Sequence, residues 1–191
     1  WHEYHEDQRI NDRGNPVDIS FVKAALAMGE KAGMDLLSRL KHLTGLMNPK
    51  SPCQMKAWLS ANGQKADSLT KKETAKLLAS STGAVKEVLM LYGQVQKSSL
   101  AKYGAMIDTV CDDGRARGMF RFYGAARSGR WAGRHIQLQN LPRNSLEDLD
   151  LARTLVMEGD YEKMDFLYGS VPDTLSQLIR TAFVAKKGYT F

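Results

Sequence analysis

Apolar residues recur at three- and four-residue intervals through most of the chain, which is the spacing of one buried helix face. The first such stretch carries Phe21, Val22, Ala25, Leu26, Leu36, Leu37, Leu40 and Leu43. Asp18 or Ser20 is placed to cap its start and Gly45 to end it. Met28 and Met34 fall inside it and are expected in the core. Asn48-Pro49-Lys50 reads as a turn. Ser51 then caps a helix with Pro52 at its first position, where a missing N–H costs nothing. Asn62-Gly63 stops that helix, and Thr70 to Glu73 has the form of a capping box opening another. A third long helix is predicted from Ala84 to about Met106, with Val85, Leu89, Tyr92, Val95 and Leu100 as its buried stripe.

The pattern changes near residue 110. Met119-Phe120-Arg121-Phe122 alternates apolar with basic, a strand signature. Loop chemistry dominates residues 124–144. Helical spacing returns at Leu149–Met157, Tyr161–Leu167 and Leu175–Phe183. Lys186-Lys187-Gly188 reads as a turn and Tyr189-Thr190-Phe191 as the start of a strand. The expected class is mainly α with a minor β part (α+β), divided into a helical region at 1–110 and a mixed region at 111–191.

Composition agrees with a folded chain: 191 residues, 43% of them hydrophobic and 25% charged. No run of eighteen apolar residues occurs, so no membrane span is expected. Cys53 and Cys111 are too few for a disulfide scaffold and lack ligand-spaced partners for zinc, which points to a reducing compartment. With Trp1 first and no signal-peptide pattern, the chain reads as a piece of something longer.

Charge sharpens the picture. Of the net +6, the stretch Arg115 to Arg143 alone carries +7, from seven arginines without a single acid or lysine. Arginine's planar fork of donors suits phosphates and base edges better than a lysine point charge. Phe120, Phe122, Tyr123 and Trp131 are interleaved and offer surfaces for sugar or base faces. Gly124, Gly129 and Gly133 would let backbone approach a ligand closely. A solvated charged face is the plain alternative, and Arg115, Arg117 and Arg121 have Asp112 and Asp113 nearby as ordinary partners. From Glu147 to Asp173 the sign inverts, with eight acids against Arg153 and Lys163.

Catalytic patterns are absent. His2-Glu3-Tyr4-His5 spaces its histidines three apart, whereas the zinc-protease helix needs four, so an exposed chain end is the better reading. His42 and His135 lack an evident nucleophile partner, and no Walker loop or dinucleotide fingerprint occurs. Glu147-Asp148 is explained by helix-end electrostatics. The residues alone thus describe a basic, nucleic-acid-binding, α-rich protein without an active site.

Residues 128–142 read Ser-Gly-Arg130-Trp-Ala-Gly-Arg134-His-Ile-Gln137-Leu-Gln139-Asn140-Leu-Pro. This resembles the segment of family A (DNA polymerase I family) polymerases that runs Thr-Gly-Arg, seven residues, Leu-Gln-Asn-Ile-Pro. Asn48-Pro49-Lys50-Ser51-Pro52-Cys53-Gln54-Met55 is similar to that family's thumb signature Asn-x-x-Ser-Pro-x-Gln-Leu. Leu178-Ile179-Arg180-Thr181-Ala182-Phe183, followed by Gly188, resembles the approach to the first catalytic strand. Asp7 to Gly14 with Pro16-Val17-Asp18 is similar to the junction between an exonuclease-like domain and the thumb. The helical insert at 145–176, ending Val171-Pro172, resembles that of polymerases from phages of Gram-positive bacteria.

The resemblance implies a thumb-like region at 1–110 and the opening part of a palm at 111–191, with an Arg-rich DNA-contacting loop at 115–144. The implied partners are primer–template duplex and the rest of the polymerase chain, in the cytoplasm of a bacterial host and without a membrane. Any homo-oligomer would be an artefact of truncation. Arg130 would reach the minor groove at the primer terminus, with Gln137, Gln139 and Asn140 supplying amide contacts beside it. The minor groove offers acceptors at similar positions in every correct pair, so such donors read pair geometry and not sequence. Arg127 and Arg134 join this set, and Lys97, Ser98, Ser99 and Lys102 are expected at phosphates. Ile136-Gln137 stands where the family usually has Pro-Asn. The first catalytic motif would begin a few residues after Phe191, and the nucleotide-binding finger helix is not matched. The fragment is therefore expected to be inactive alone, with Mg2+ implied for the full-length enzyme and no cofactor for this part. The competing class is a stand-alone nucleic-acid-binding module.

Overall fold

A polar segment opens the chain as a helix that its apolar spacing does not announce. In the computed structural model, which describes residues 1–97, 99–185 and 188 (Ser99 by its backbone alone), α1 spans His2–Arg13. Its few apolar side chains, Tyr4 and Ile10, remain exposed, so no buried stripe exists to be read. β1 (Asn15–Pro16) follows, and α2 (Ile19–Thr44) starts where Asp18 accepts a hydrogen bond from the Phe21 N–H at 3.0 Å. The chain is mainly helical with two small antiparallel sheets, as expected. It forms two compact units, 1–28 with 98–191 and 29–97. The division expected at residue 110 falls inside the first of these.

In the unit 29–97, the later part of α2 packs with α3 (Pro52–Ala61), α4 (Lys71–Ser80) and α5 (Gly83–Val95). Leu36, Leu40, Met55, Leu59, Leu77, Leu89 and Tyr92 form its core. The caps are those the sequence indicates: Ser51 accepts from Gln54 N–H and Thr70 from Glu73 N–H. The Glu73 carboxylate, however, pairs with Lys76 at 3.1 Å. Met28 is buried, but Met34 is 66% exposed. Ala32, Leu36 and Leu40 mark the inward face at four-residue spacing, and a residue two positions away points outward.

The helix expected over 84–106 is two helices. α5 closes with Gln96 N–H on Tyr92 O and Lys97 N–H on Gln94 O, at 3.1 and 3.2 Å, and α6 (Ser99–Thr109) begins afterwards. The intervening Gln96–Ser99 run has no apolar residue to carry a buried face across it.

The other unit is built on α6, β2 (Arg115–Ala116), β3 (Phe120–Ala125), β4 (Arg130–Gly133), α7 (Leu149–Glu158), α8 (Tyr161–Tyr168) and α9 (Val171–Leu178). β1 pairs antiparallel with β2, Asn15 opposite Ala116, and Val17 bridges Phe183 on the other side. Phe21, Tyr103, Met106, Leu155, Met164 and Leu175 fill the core. The buried Tyr103 hydroxyl donates to Leu175 O at 2.8 Å, tying α6 to α9. Burial raises the pKa of that phenol above its ordinary value.

Asp148, Asp160 and Ser170 cap the last three helices, accepting from Leu151, Lys163 and Asp173 N–H groups. α9 therefore starts before the expected Leu175, at the Ser170 cap with Pro172 in its first turn, and a short 3-10 helix, Ile179–Ala182, follows it. Arg153 of α7 turns inward: it lies 4.1 Å from the Phe21 ring centroid, pairs with Asp18 and donates to Thr181 O at 2.6 Å. Among the described residues no helix is long and apolar enough to cross a membrane. Lys186, Lys187 and the strand start at Tyr189-Thr190-Phe191 lie outside the described residues.

Candidate nucleic-acid interface

The stretch expected as loop at 124–144 contains the second strand of a hairpin. β3 and β4 pair antiparallel with Phe120 opposite Gly133, Arg121 opposite Ala132 and Ala125 opposite Arg130. Between Arg121 and Ala125 the register breaks at a bulge, where Tyr123 adopts a positive φ of 49°. The turn closes with Ser128 and Gly129 N–H groups on Ala125 O, at 3.1 and 2.9 Å. Gly129 sits there at φ 63°, a conformation glycine adopts without strain. Arg127 stands exposed in this turn and Arg130 at the start of β4. Alternation alone misses β4, because Arg130–Gly133 is short and half glycine and alanine.

The glycines do not leave room for a ligand. A side chain at Gly124 would meet Ala132, one at Gly129 the Tyr123 ring, and one at Gly133 the Gln139 amide. Gly124 and Gly129 permit close packing of the hairpin on itself, and Gly133 close packing against Gln139. The aromatics likewise pack together: Phe122 meets Trp131 edge-on at 6.1 Å between centroids and Tyr4 at 6.5 Å, and Phe120 meets Trp131 at 6.5 Å. Tyr123 remains 63% exposed.

Two of the seven arginines hold the fold. Arg115 donates to Arg13 O and Gly14 O at 2.6 and 3.0 Å. Arg117 donates to Asp12 O at 2.7 Å and makes a two-pronged pair with Asp113, both contacts 2.7 Å. That guanidinium holds the Asp113 carboxyl at a pKa of about 2. Asn11 completes the join, exchanging 3.1 and 2.9 Å hydrogen bonds with the Phe120 backbone as a strand neighbour would. Arg121, Arg127, Arg130, Arg134 and Arg143 make no ion pair or side-chain hydrogen bond among the described residues.

The segment after β4 is clasped from both ends. Arg134 N–H donates to Met119 O at 2.8 Å, and His135 and Gln137 take positive φ angles of 52° and 53° around the buried Ile136. Lys102 reaches from α6 to donate its ammonium to Ile136 O at 2.7 Å. At the far end Arg180 holds Leu141 O and Pro142 O at 2.9 and 2.8 Å. Between these anchors a short 3-10 helix, Leu138–Asn140, leaves Gln137, Gln139 and Asn140 exposed. The Asn140 amide donates to Gln137 Oε1 at 3.0 Å, which leaves the Gln137 amide nitrogen and the Asn140 oxygen for another molecule.

The hairpin and this clasped loop bring Arg127, Arg130, Arg134, Gln137, Gln139 and Asn140 into one stretch of the unit that contains residues 98–191. Lys102 belongs to the same unit, but its ammonium braces the loop. Lys97 lies in the other unit, where the loss of water around its ammonium and then the charge of Lys71 lower its pKa. Ser98 and the Ser99 side chain lie outside the described residues. Lys102 is expected from sequence at phosphates, but its bracing of Ile136 O, like the braces from Arg180 and Asn11, acts on a backbone group far away in sequence and was not legible.

No family model matches the chain. Over 186 residues, 97% of its length, it is 47% identical to a protein named DNA polymerase from Bacillus phage SP02. The chain is similar to part of a phage DNA polymerase. It spans 29% of that relative's length.

Proposed function

We propose that the chain is part of a DNA-directed DNA polymerase of family A, and that its part in the enzyme is to hold the primer–template duplex. The similarity to the phage polymerase supports the enzyme class. The duplex-holding role is carried by one observation: five arginines without protein partners among the described residues share a unit with a clasped loop presenting exposed amides. In this reading Arg130 donates to minor-groove acceptors at the primer end, and Gln137, Gln139 and Asn140 contact the neighbouring pairs. Arg127 and Arg134 meet phosphates. Lys102 supports the loop, and Lys97 with Ser98 and Ser99 keep the phosphate role that their basic and hydroxyl cluster suggests. The thumb corresponds to the helical region, and the palm to the hairpin together with α7, α8 and α9.

The chemistry of nucleotide addition belongs to the remainder of such an enzyme. In this reading the Mg2+ implied for the full-length polymerase is held by that remainder, and among the described residues no three His, Cys, Asp or Glu side chains come together as metal ligands. No reaction step is derived from it.

Fluorescence anisotropy with a primer–template duplex and with single-stranded DNA tests the reading. The duplex is expected to bind more tightly, and Arg130→Ala to weaken it by roughly five- to 150-fold, the loss of about 1–3 kcal/mol for a base-edge contact. Equal binding of both DNAs, or an Arg130→Ala variant with unchanged duplex affinity, would sink the assignment.

A further inference from the structure

In the acidic segment, Phe166 of α8 is 87% exposed and Leu167 beside it 47%. The helix is fixed without them, since Met164 is the side chain it buries. Leu151 and Met157 of α7, the helix packed against α8, are exposed as well. Four large apolar side chains on two packed helices go beyond the isolated exposed residue that needs no explanation. The charges around them have one sign. Asp148 and Asp160 serve as helix caps, and Asp173 accepts from the Ser170 hydroxyl. Glu147, Asp150, Glu158, Glu162 and Asp165 are exposed and make no ion pair or side-chain hydrogen bond among the described residues. Glu162 lies one turn before Phe166 on the same side of α8, and Asp165 directly precedes it. Arg153 is turned inward, which leaves Lys163 as the basic side chain of 147–173 that faces out.

We propose that the outward face of α8 is a docking site for a basic amphipathic helix of another protein. The apolar stripe of that helix packs on Phe166 and Leu167, and its lysine or arginine flanks meet Glu162, Asp165 and the acids of α7. DNA does not suit the face, because its phosphates would meet five unpaired carboxylates. A permanent join to the rest of a longer chain does not suit it either, since such interfaces resemble a divided core, apolar and depleted of charge. An aromatic anchor inside a charged rim is the anatomy of an interface that forms and parts, with the charges speeding encounter. The face carries none of the residues given to DNA above, so the inference does not require the duplex-holding reading.

Anisotropy of fluorescently labelled peptides added to the chain tests it. The probe is a leucine–lysine peptide about five turns long with its leucines on one face. The control has the same composition in scrambled order. The amphipathic peptide is expected to bind roughly tenfold or more tighter than the scrambled one, and Phe166→Ser to weaken it by roughly thirtyfold, as the loss of an anchor residue does. Glu162→Gln combined with Asp165→Asn should slow association and flatten its salt dependence. Native affinity in Phe166→Ser, equal binding of the two peptides, or an unmoved salt dependence in the charge variant overturns the proposal. Other occupants have their own signatures. A dimer of the chain in sedimentation that Phe166→Ser dissolves would place a second copy on the face. Peptide binding by residues 1–191 that is absent in the full-length polymerase would place the rest of that chain there. Either result overturns the proposal. Because Phe166 is exposed, Phe166→Ser is expected to melt as the native chain does. A lowered melting point would mean that the ring packs within the fold, and would overturn it too.

Discussion

At the scale of single residues, the Arg-rich run separates into two kinds of arginine that the sequence presents alike. Arg115 and Arg117 bind the backbone at Arg13, Gly14 and Asp12, and Arg117 also pairs with Asp113. The possibility of pairing with Asp112 or Asp113 was legible for Arg117 from its four-residue separation. The carbonyl contacts were not, because they join positions about a hundred apart. The Asp113 pair has a measurable signature. Its carboxyl is held at about 2, below the ordinary 3.8, chiefly by the hydrogen bonds from Arg117. A depressed carboxyl pKa stabilises the fold above the ordinary value, and that contribution is lost as the pH falls from 3.8 toward 2. A carboxyl-carbon NMR titration is expected to give a midpoint near 2 in the native chain and a midpoint back toward 3.8 in Arg117→Gln. An unmoved midpoint in the variant would show that Arg117 is not the cause.

At the scale of elements, what was legible comes from local chemistry. Ser51, Thr70 and Asp18 cap the helices they precede, because capping is settled within three residues. What was not legible depends on distant partners. The strand β4 exists because β3 pairs with it, and the loop after it keeps its shape because Lys102 and Arg180 hold its carbonyls. Of these, Lys102 makes the sharper test, since Ile136 is fully buried beside the carbonyl it binds. Lys102→Met keeps the length of the side chain and removes the donor. It is expected to cost about 1–2 kcal/mol in urea unfolding and to speed amide exchange at Gln137 to Asn140. Native stability and unchanged exchange would mean that the loop holds itself, and that Lys102 is available for the phosphate role its basic and hydroxyl cluster suggests.

At the scale of the whole chain, charge is distributed so that opposite signs do not cancel locally. The run 115–143 carries seven positive charges and the next segment eight acids. Arg153, one of two basic residues in that acidic segment, is turned inward onto Asp18 and Phe21. Two arginines of the basic run are engaged in the fold, and the other five have no ion-pair partner among the described residues; the proposed function gives these five to DNA. Each phosphate neutralised releases condensed counterions, so the count of participating arginines sets the salt dependence. With Arg130 at base edges, two to four of them meet phosphates, and log affinity for duplex against log salt should fall with a slope of roughly −2 to −3.5. Arg127→Gln, at the exposed hairpin turn, should lower that slope by about 1 without changing the preference for duplex. Arg117→Gln should leave it unchanged, since that guanidinium already faces Asp113. A slope near zero in the native chain would mean that the unpaired arginines are a solvated face. Equal losses in both variants would mean that the division between structural and DNA-facing arginines is wrong, because only the number of charges, and not their placement, would then govern binding.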